Sequence, residues 1–360
     1  MQKWLRTLVL PIVALALVAS ACSSDEPEDS GDSGGNEDCT SEIRVGIALD
    51  VGGLGDKSFN DAAKAGLDQA IADGQVCEEN ANFVEANNTG SNRDANIEAL
   101  ADEGYDLVIG VGFAFSEGVA AIAADYPDVN FAVVDGFATF LPDAKGLTNV
   151  ADLTFKEQEG SYLVGAAAAL KCQCDTIGFL GGQEGTGLIE KFEAGYTAGA
   201  KAVNPDIDVL VEYIGDDTTA FVNDVKGEAL SAKMYDAGAE IVYHAAGLSG
   251  AGLFRAAVDA NKLAIGVDSD QYLTAAPEEQ PLILTSMLKR VDTAVYDAIE
   301  QTADDAFKGG FQVFGLDVDG VDFSTSNEEE LTDDIVEKMD EFKEQIISGE
   351  IVVPEEPENA

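Results

Sequence analysis

Gly52 to Asn60 reads Gly-Gly-Leu-Gly-Asp-Lys-Ser-Phe-Asn and sets a lysine and a serine among glycines, the ingredients of a phosphate grip. A P-loop needs glycine directly before its lysine, where backbone N–H groups wrap the phosphates. Here Asp56 stands in that place, so the phosphate reading fails. Gly247-Leu248-Ser249-Gly250-Ala251-Gly252 lacks the spacing of the dinucleotide fingerprint. His244 is the only histidine and has no nucleophile context, so a hydrogen-bonded structural or cleft-lining role is expected. Asp317, Asp319 and Asp322 beside Gly320 depart from the order of a calcium loop and read as a solvated acidic loop. What remains is the chemistry of holding a ligand, and no catalytic group, metal or cofactor is expected.

The elements that must carry these residues alternate. Ile43–Leu49 is a β-rich run ending at Asp50, followed by a glycine-rich turn and a helical stretch, Asn60–Asp73. Asn82–Glu85, Leu107–Gly112 and Asn130–Val134 continue as strands, with helices Arg93–Glu103 and Ser116–Tyr126 between them. The pattern restarts with helix Gln158–Leu170, strand Thr176–Leu180, helix Leu188–Val203, strand Asp208–Tyr213 and helix Asn223–Asp236. Glu240–Tyr243, helix Gly250–Ala260 and Leu263–Val267 complete it. Near-continuous apolar strands between amphipathic helices predict parallel sheets covered on both faces, and two such arrays predict two doubly wound lobes. Leu282–Lys308 and Phe311–Asp317 would pass back across the lobes, and Glu328–Ser348 would close the chain as an amphipathic helix. Ligands of open α/β sheets gather at the carboxyl ends of the strands. Those ends carry Asp50, Gly112, Asp135, Gly181-Gly182, Gly247 and Asp268, a repetition of Gly and Asp that points to a cleft.

The chain also carries an address. Residues 1–21 contain Lys3 and Arg6, no acidic residue, and an apolar stretch from Leu8 to Ala19, the layout of a secretory signal. Small residues lead into Cys22, as in the bacterial lipobox, whose cysteine is acylated and becomes the first residue of the mature protein. Residues 23–42 are mostly Ser, Gly, Asp and Glu, too polar to fold and suited to a flexible leash. The expected division is therefore residues 1–21 as signal and 22–42 as lipidated linker. Residues 43–150 with 284–309 form lobe 1, and residues 151–283 with 310–353 form lobe 2. Export permits disulfides. Cys39 and Cys77 each precede a predicted strand and can pair, while a bridge within Cys172-x-Cys174 is the weaker expectation. With 68 acidic against 20 basic residues the formal charge is −48, which disfavours nucleic acid as a partner.

Several of these segments together resemble one family. They are Asp50 with Gly55–Asn60, Gly112-Phe113, Asp135, Glu159–Gly165, Gly178–Gly182, Phe192–Gly199, Lys226-Gly227, Gly266–Gln271 and Thr285–Lys289. The resemblance is to the basic membrane protein family of bacterial lipoproteins, and it covers about residue 43 to residue 320. It implies a type I periplasmic-binding-protein fold, two Rossmann-like lobes joined by crossover hinge segments. It implies a purine nucleoside stacked between Phe59 of the first lobe and Phe221 of the second. Asp268 and Lys289 would hold the ribose hydroxyls, the backbone at Gly247 would approach closely, and Asp50, Asn60 and Asp135 would face the base edge or line the first lobe. The implied role is a monomeric, lipid-anchored receptor on the outer face of the cell membrane, delivering ligand to an ABC permease. The alternative is the same fold holding a sugar or another small polar metabolite, for uptake or sensing.

Overall fold

The computed structural model describes residues 39–358. The expected signal, Cys22 and most of the acidic leash lie outside the described residues.

In chain order the described residues form β1 (Val45–Leu49), α1 (Phe59–Ala72), β2 (Ala81–Glu85), α2 (Arg93–Asp102), β3 (Leu107–Val111), α3 (Ser116–Ile122), β4 (Asn130–Val134) and β5 (Val150–Phe155). There follow α4 (Glu157–Cys172), β6 (Thr176–Gln183), α5 (Ile189–Val203), β7 (Asp208–Gly215), α6 (Asp224–Asp236), β8 (Ile241–Ala245), α7 (Ala251–Ala260) and β9 (Leu263–Asp268). The chain ends with β10 (Ile283–Lys289), α8 (Val291–Ala303), β11 (Gly310–Phe314), β12 (Val321–Phe323) and α9 (Asp333–Ile347). Two six-stranded sheets result, in the orders β11-β5-β4-β3-β1-β2 and β12-β10-β9-β8-β6-β7. Every pairing is parallel except β10 with β12. The inner strands β1, β3 and β8 are buried along their whole length, as all-apolar strands covered on both faces must be.

The expected lobe boundaries need correction at three places. Strand β5 belongs to the first sheet, so the first crossover falls after Phe155 rather than near residue 150. Strand β10, assigned to lobe 1 from residue 284 on, pairs with β9 in the second sheet. Strand β11, placed in lobe 2 with residues 310–353, pairs with β5 in the first. The chain therefore changes sheets between β5 and α4, between β10 and α8, and between β11 and β12. Pairing partners distant in sequence decide this, and the local pattern does not record them.

Helices α4 and α5 cross so closely that backbone meets backbone. A methyl group at Gly165 would collide with the carbonyl of Tyr196, one at Gly195 with that of Gln158, and one at Gly199 with that of Tyr162. Neither side can yield, because the obstacles are main-chain atoms. Gly199→Ala is therefore expected to destabilise the protein by about 1–3 kcal/mol, the usual cost of overpacking, read as a lower urea midpoint by circular dichroism. Disulfides link Cys39 to Cys77 and Cys172 to Cys174. Among the described residues no helix is long and apolar enough to cross a membrane.

Candidate functional site

The carboxyl ends of the strands of both sheets face a shared cleft of about 650 Å³, its open mouth included. Asp50, Phe59, Asn60, Asp135, Phe221, Gly247, Asp268 and Lys289 all line it. The structure thus brings together the eight residues singled out as ligand contacts.

Phe59 is placed by the loop before it. The buried carboxylate of Asp56 accepts from the backbone N–H groups of Ser58 and Asn60, at 3.0 and 2.8 Å, and from Asn60 Nδ2 at 3.0 Å. These are orphan donors at the start of α1, so a carboxylate there both caps the helix and meets its positive end. Asp61 accepts from Gly55 and Lys57 N–H at 2.8 and 2.9 Å and ties the loop down from the other side. Asn60 Oδ1 accepts from the N–H of Asp50 at 2.9 Å. Both ends of its amide are thus engaged within the first lobe, and Asn60 shapes the cleft wall more than it offers groups to a ligand. Asp50 is similarly committed: its carboxylate accepts from Arg93 Nε at 2.6 Å and from Val51 N–H at 2.7 Å.

Phe221 enters from the turn between β7 and α6. Its ring occupies the space a side chain would take at Gly182, and its Cβ lies against Gly247. Gly247 has φ +54°, a left-handed backbone that glycine adopts without steric cost. A third phenylalanine, Phe192 on α5, lines the cleft together with Leu188 and Ile189. Sequence reasoning missed these as ligand contacts. Their helical spacing marks an apolar face, and nothing in that spacing separates a cleft wall from core.

The floor is electrostatic. Lys289, at the end of β10, is 2% exposed and lies 2.7 Å from Asp135 Oδ2 and 3.2 Å from Glu157 Oε1. Its ammonium also stands 5.3, 5.0 and 5.5 Å from the ring centres of Phe59, Phe155 and Phe192, within cation–π reach of all three. Burial would favour the neutral amine, but Asp135, Glu157 and Asp268 together outweigh it and hold Lys289 above its ordinary pKa. One cation cannot compensate three carboxylates. Burial consequently pushes Asp135 up to about 6 against the pull of Lys289. Asp268 also rises to about 6 through burial, opposed by Lys289 and by a hydrogen bond from Ser58. Asp135 and Asp268 both sit at strand ends with positive φ, 58° and 65°, which Asp tolerates better than most residues. Asp135 Oδ1 is buried and accepts no hydrogen bond from the described residues of the protein. Glu157, fully buried at the start of α4, went unrecognised in the sequence, where an acidic residue in a first helical turn is ordinary. This arrangement can grip a flat polar molecule by faces, hydroxyls and amides.

A family model described as "ABC transporter substrate-binding protein PnrA-like" matches residues 43–357. The chain is 34% identical over 362 residues to the CD4+ T-cell-stimulating antigen of Listeria innocua, covering 96% of this chain and 97% of the relative. It is 33% identical over 363 residues to a Lactococcus lactis protein named ABC transporter nucleoside-binding protein BmpA, covering 97% and 99%. Among solved structures, an ABC transporter solute-binding protein from Aeropyrum pernix superposes with TM-score 0.72 at 28% identity, over 87% of this chain and 94% of that one.

Proposed function

The chain belongs to the Bmp family of PnrA-like ABC transporter substrate-binding proteins, which are not enzymes, and from that premise we propose that its cleft captures a purine nucleoside for delivery to a membrane permease. The observation that carries the reading is the pairing of Phe59 and Phe221. They come from opposite lobes into one cleft, above a floor where a charged lysine lies among carboxylates. A purine offers two π-faces, each worth about 1–3 kcal/mol when stacked on an aromatic ring. Its ribose offers vicinal hydroxyls, which Asp135, Asp268 and Lys289 complement as acceptors and donor. The name of the Lactococcus relative supports the same ligand class.

Delivery has a place as well as a cargo. We read Cys22 as acylated after cleavage of residues 1–21, with residues 22–42 as the leash of a monomer on the outer face of the membrane. A tether of that kind raises the local concentration of loaded receptor at its permease. Titration calorimetry with inosine, guanosine and adenosine is expected to show micromolar or tighter binding, with ribose alone far weaker. Binding of ribose or another sugar without binding of any nucleoside would overturn the ligand assignment and leave the fold and family untouched.

A further inference from the structure

The loop that places Phe59 also reaches across the cleft. Ser58 Oγ–H donates to Asp268 Oδ2, a hydrogen bond from the first lobe to a strand end of the second. Beside it Lys57 Nζ donates to the carbonyl of Thr274 at 2.7 Å, and Gln271 Nε2 donates to the carbonyl of Lys57 at 3.2 Å. Three hydrogen bonds between two short segments therefore close one side of the cleft. Neither Lys57, Ser58 nor Gln271 lines it.

Both segments are braced for the purpose. On the first lobe, Asp56 and Asp61 fix the backbone of residues 55–61 from inside, as described above, and Lys57 is held at φ +54°. On the second, Gln271 Oε1 accepts from Val267 N–H and meets His244 Nε2, both at 2.9 Å, while its own N–H donates to Ser286 Oγ at 3.1 Å. Since Gln271 Oε1 is an acceptor only, His244 must donate through Nε2, which gives the single imidazole its tautomer. His244 is fully buried and seated edge-on against Phe254. The amide of Gln271 is thus aimed at the opposite lobe by groups it cannot rotate away from.

We propose that Ser58, Lys57 and Gln271 are positioning residues, a cross-lobe latch that holds the cleft shut and sets how long a captured ligand stays. The latch rests on the proposed capture of a nucleoside between the two lobes, and it adds a contact the ligand does not make. In the shut form Ser58 takes one oxygen of Asp268, so the other is the one presented to the cargo. Opening breaks all three bonds to water, which makes them interactions of the closed state alone, and such interactions shift the open–closed balance. Truncating them slows nothing on the way in and speeds the way out.

The test uses 2-aminopurine riboside as a fluorescent purine nucleoside, with stopped-flow mixing, on wild type, Ser58→Ala and Lys57→Gln. Ser58 donates to a carboxylate, a charge-assisted bond, so Ser58→Ala should raise the release rate about tenfold or more. Lys57→Gln, at an exposed side chain that can perturb folding little, should raise it about threefold. Entry rates should stay within about threefold of wild type. Small-angle scattering supplies an arm that needs no ligand: both variants should show a larger radius of gyration than wild type. A release rate unchanged in both variants, or a loss of affinity arising in the entry rate, would overturn the latch. So would scattering curves that coincide with wild type. Failure of wild type to bind the probe would sink the nucleoside assignment instead, while the scattering comparison still decides the latch.

Discussion

Phe59→Ala is expected to weaken inosine binding by about 1–3 kcal/mol, a factor of roughly 5 to 150, while leaving the much weaker binding of free ribose almost unchanged. The ring stands at the first position of α1, fixed by the Asp56 and Asp61 bonds, so its loss removes a prebuilt stacking face rather than a mobile side chain. Preorganisation matters because an aromatic already in place surrenders little entropy on binding. Phe221→Ala should act in the same direction, and Asp268→Ala should weaken binding by removing an acceptor for ribose. Calorimetry of the variants against inosine and ribose separates stacking from general damage. Equal losses for the two ligands would argue that Phe59 only shapes the wall.

Replacing Lys289 by methionine should cost about 3–5 kcal/mol of stability near pH 8, because it strands Asp135, Glu157 and Asp268 in the interior without their cation. The pH dependence is the sharper part. In the wild type, Asp135 and Asp268 titrate near 6 when folded, above the ordinary aspartate value of 3.8. The folded state therefore binds more protons than the unfolded one between those values, and these two groups make stability fall as pH rises through that window. Without Lys289 the folded carboxylates shift higher still, so the window extends upward. The deficit of Lys289→Met should then be largest at pH 8 and shrink towards pH 5, where protons replace the missing cation. Urea unfolding at the two pH values measures this by circular dichroism. A deficit independent of pH would mean that the lysine acts through packing alone. Asp135→Asn, which leaves the cation two other carboxylates, should cost less.

Much of the fold could be read because its strands are apolar and its helices amphipathic, and the polar residues at strand ends marked the cleft for the same reason. The failures are equally physical. Strand β5 escaped notice because Asp152 sits in its middle. That carboxylate is fully buried, yet it is satisfied by the N–H groups of Ala138 and Thr139 and by the hydroxyl of Thr139. A charge in a strand is tolerated when tertiary structure supplies its partners, and local pattern cannot report them. Strand β10 looked like a crossover because Thr285 and Ser286 interrupt its apolar run. Ser324 answers both, its carbonyl accepting from Thr285 Oγ1 and its hydroxyl from Ser286 N–H. Within the site, Asp268 could be read from its place at a strand end, and Lys289 only through the family resemblance. Phe192 and Glu157 could be read from neither, since one looks like core and the other like an ordinary first-turn acid.

The bridge between Cys39 and Cys77 has a mechanical meaning. It joins the chain just before β1 to the chain just before β2, neighbouring parallel strands, at their amino ends and so on the side of the sheet away from the cleft. Tension arriving at Cys39 is shared between both strands from the same end. Their common ladder then bears little relative sliding, and the load passes inward through the pairing of β1 with β3. A tug on the N-terminal side is spread over the base of the first sheet before it can disturb the strand ends that shape the binding cleft.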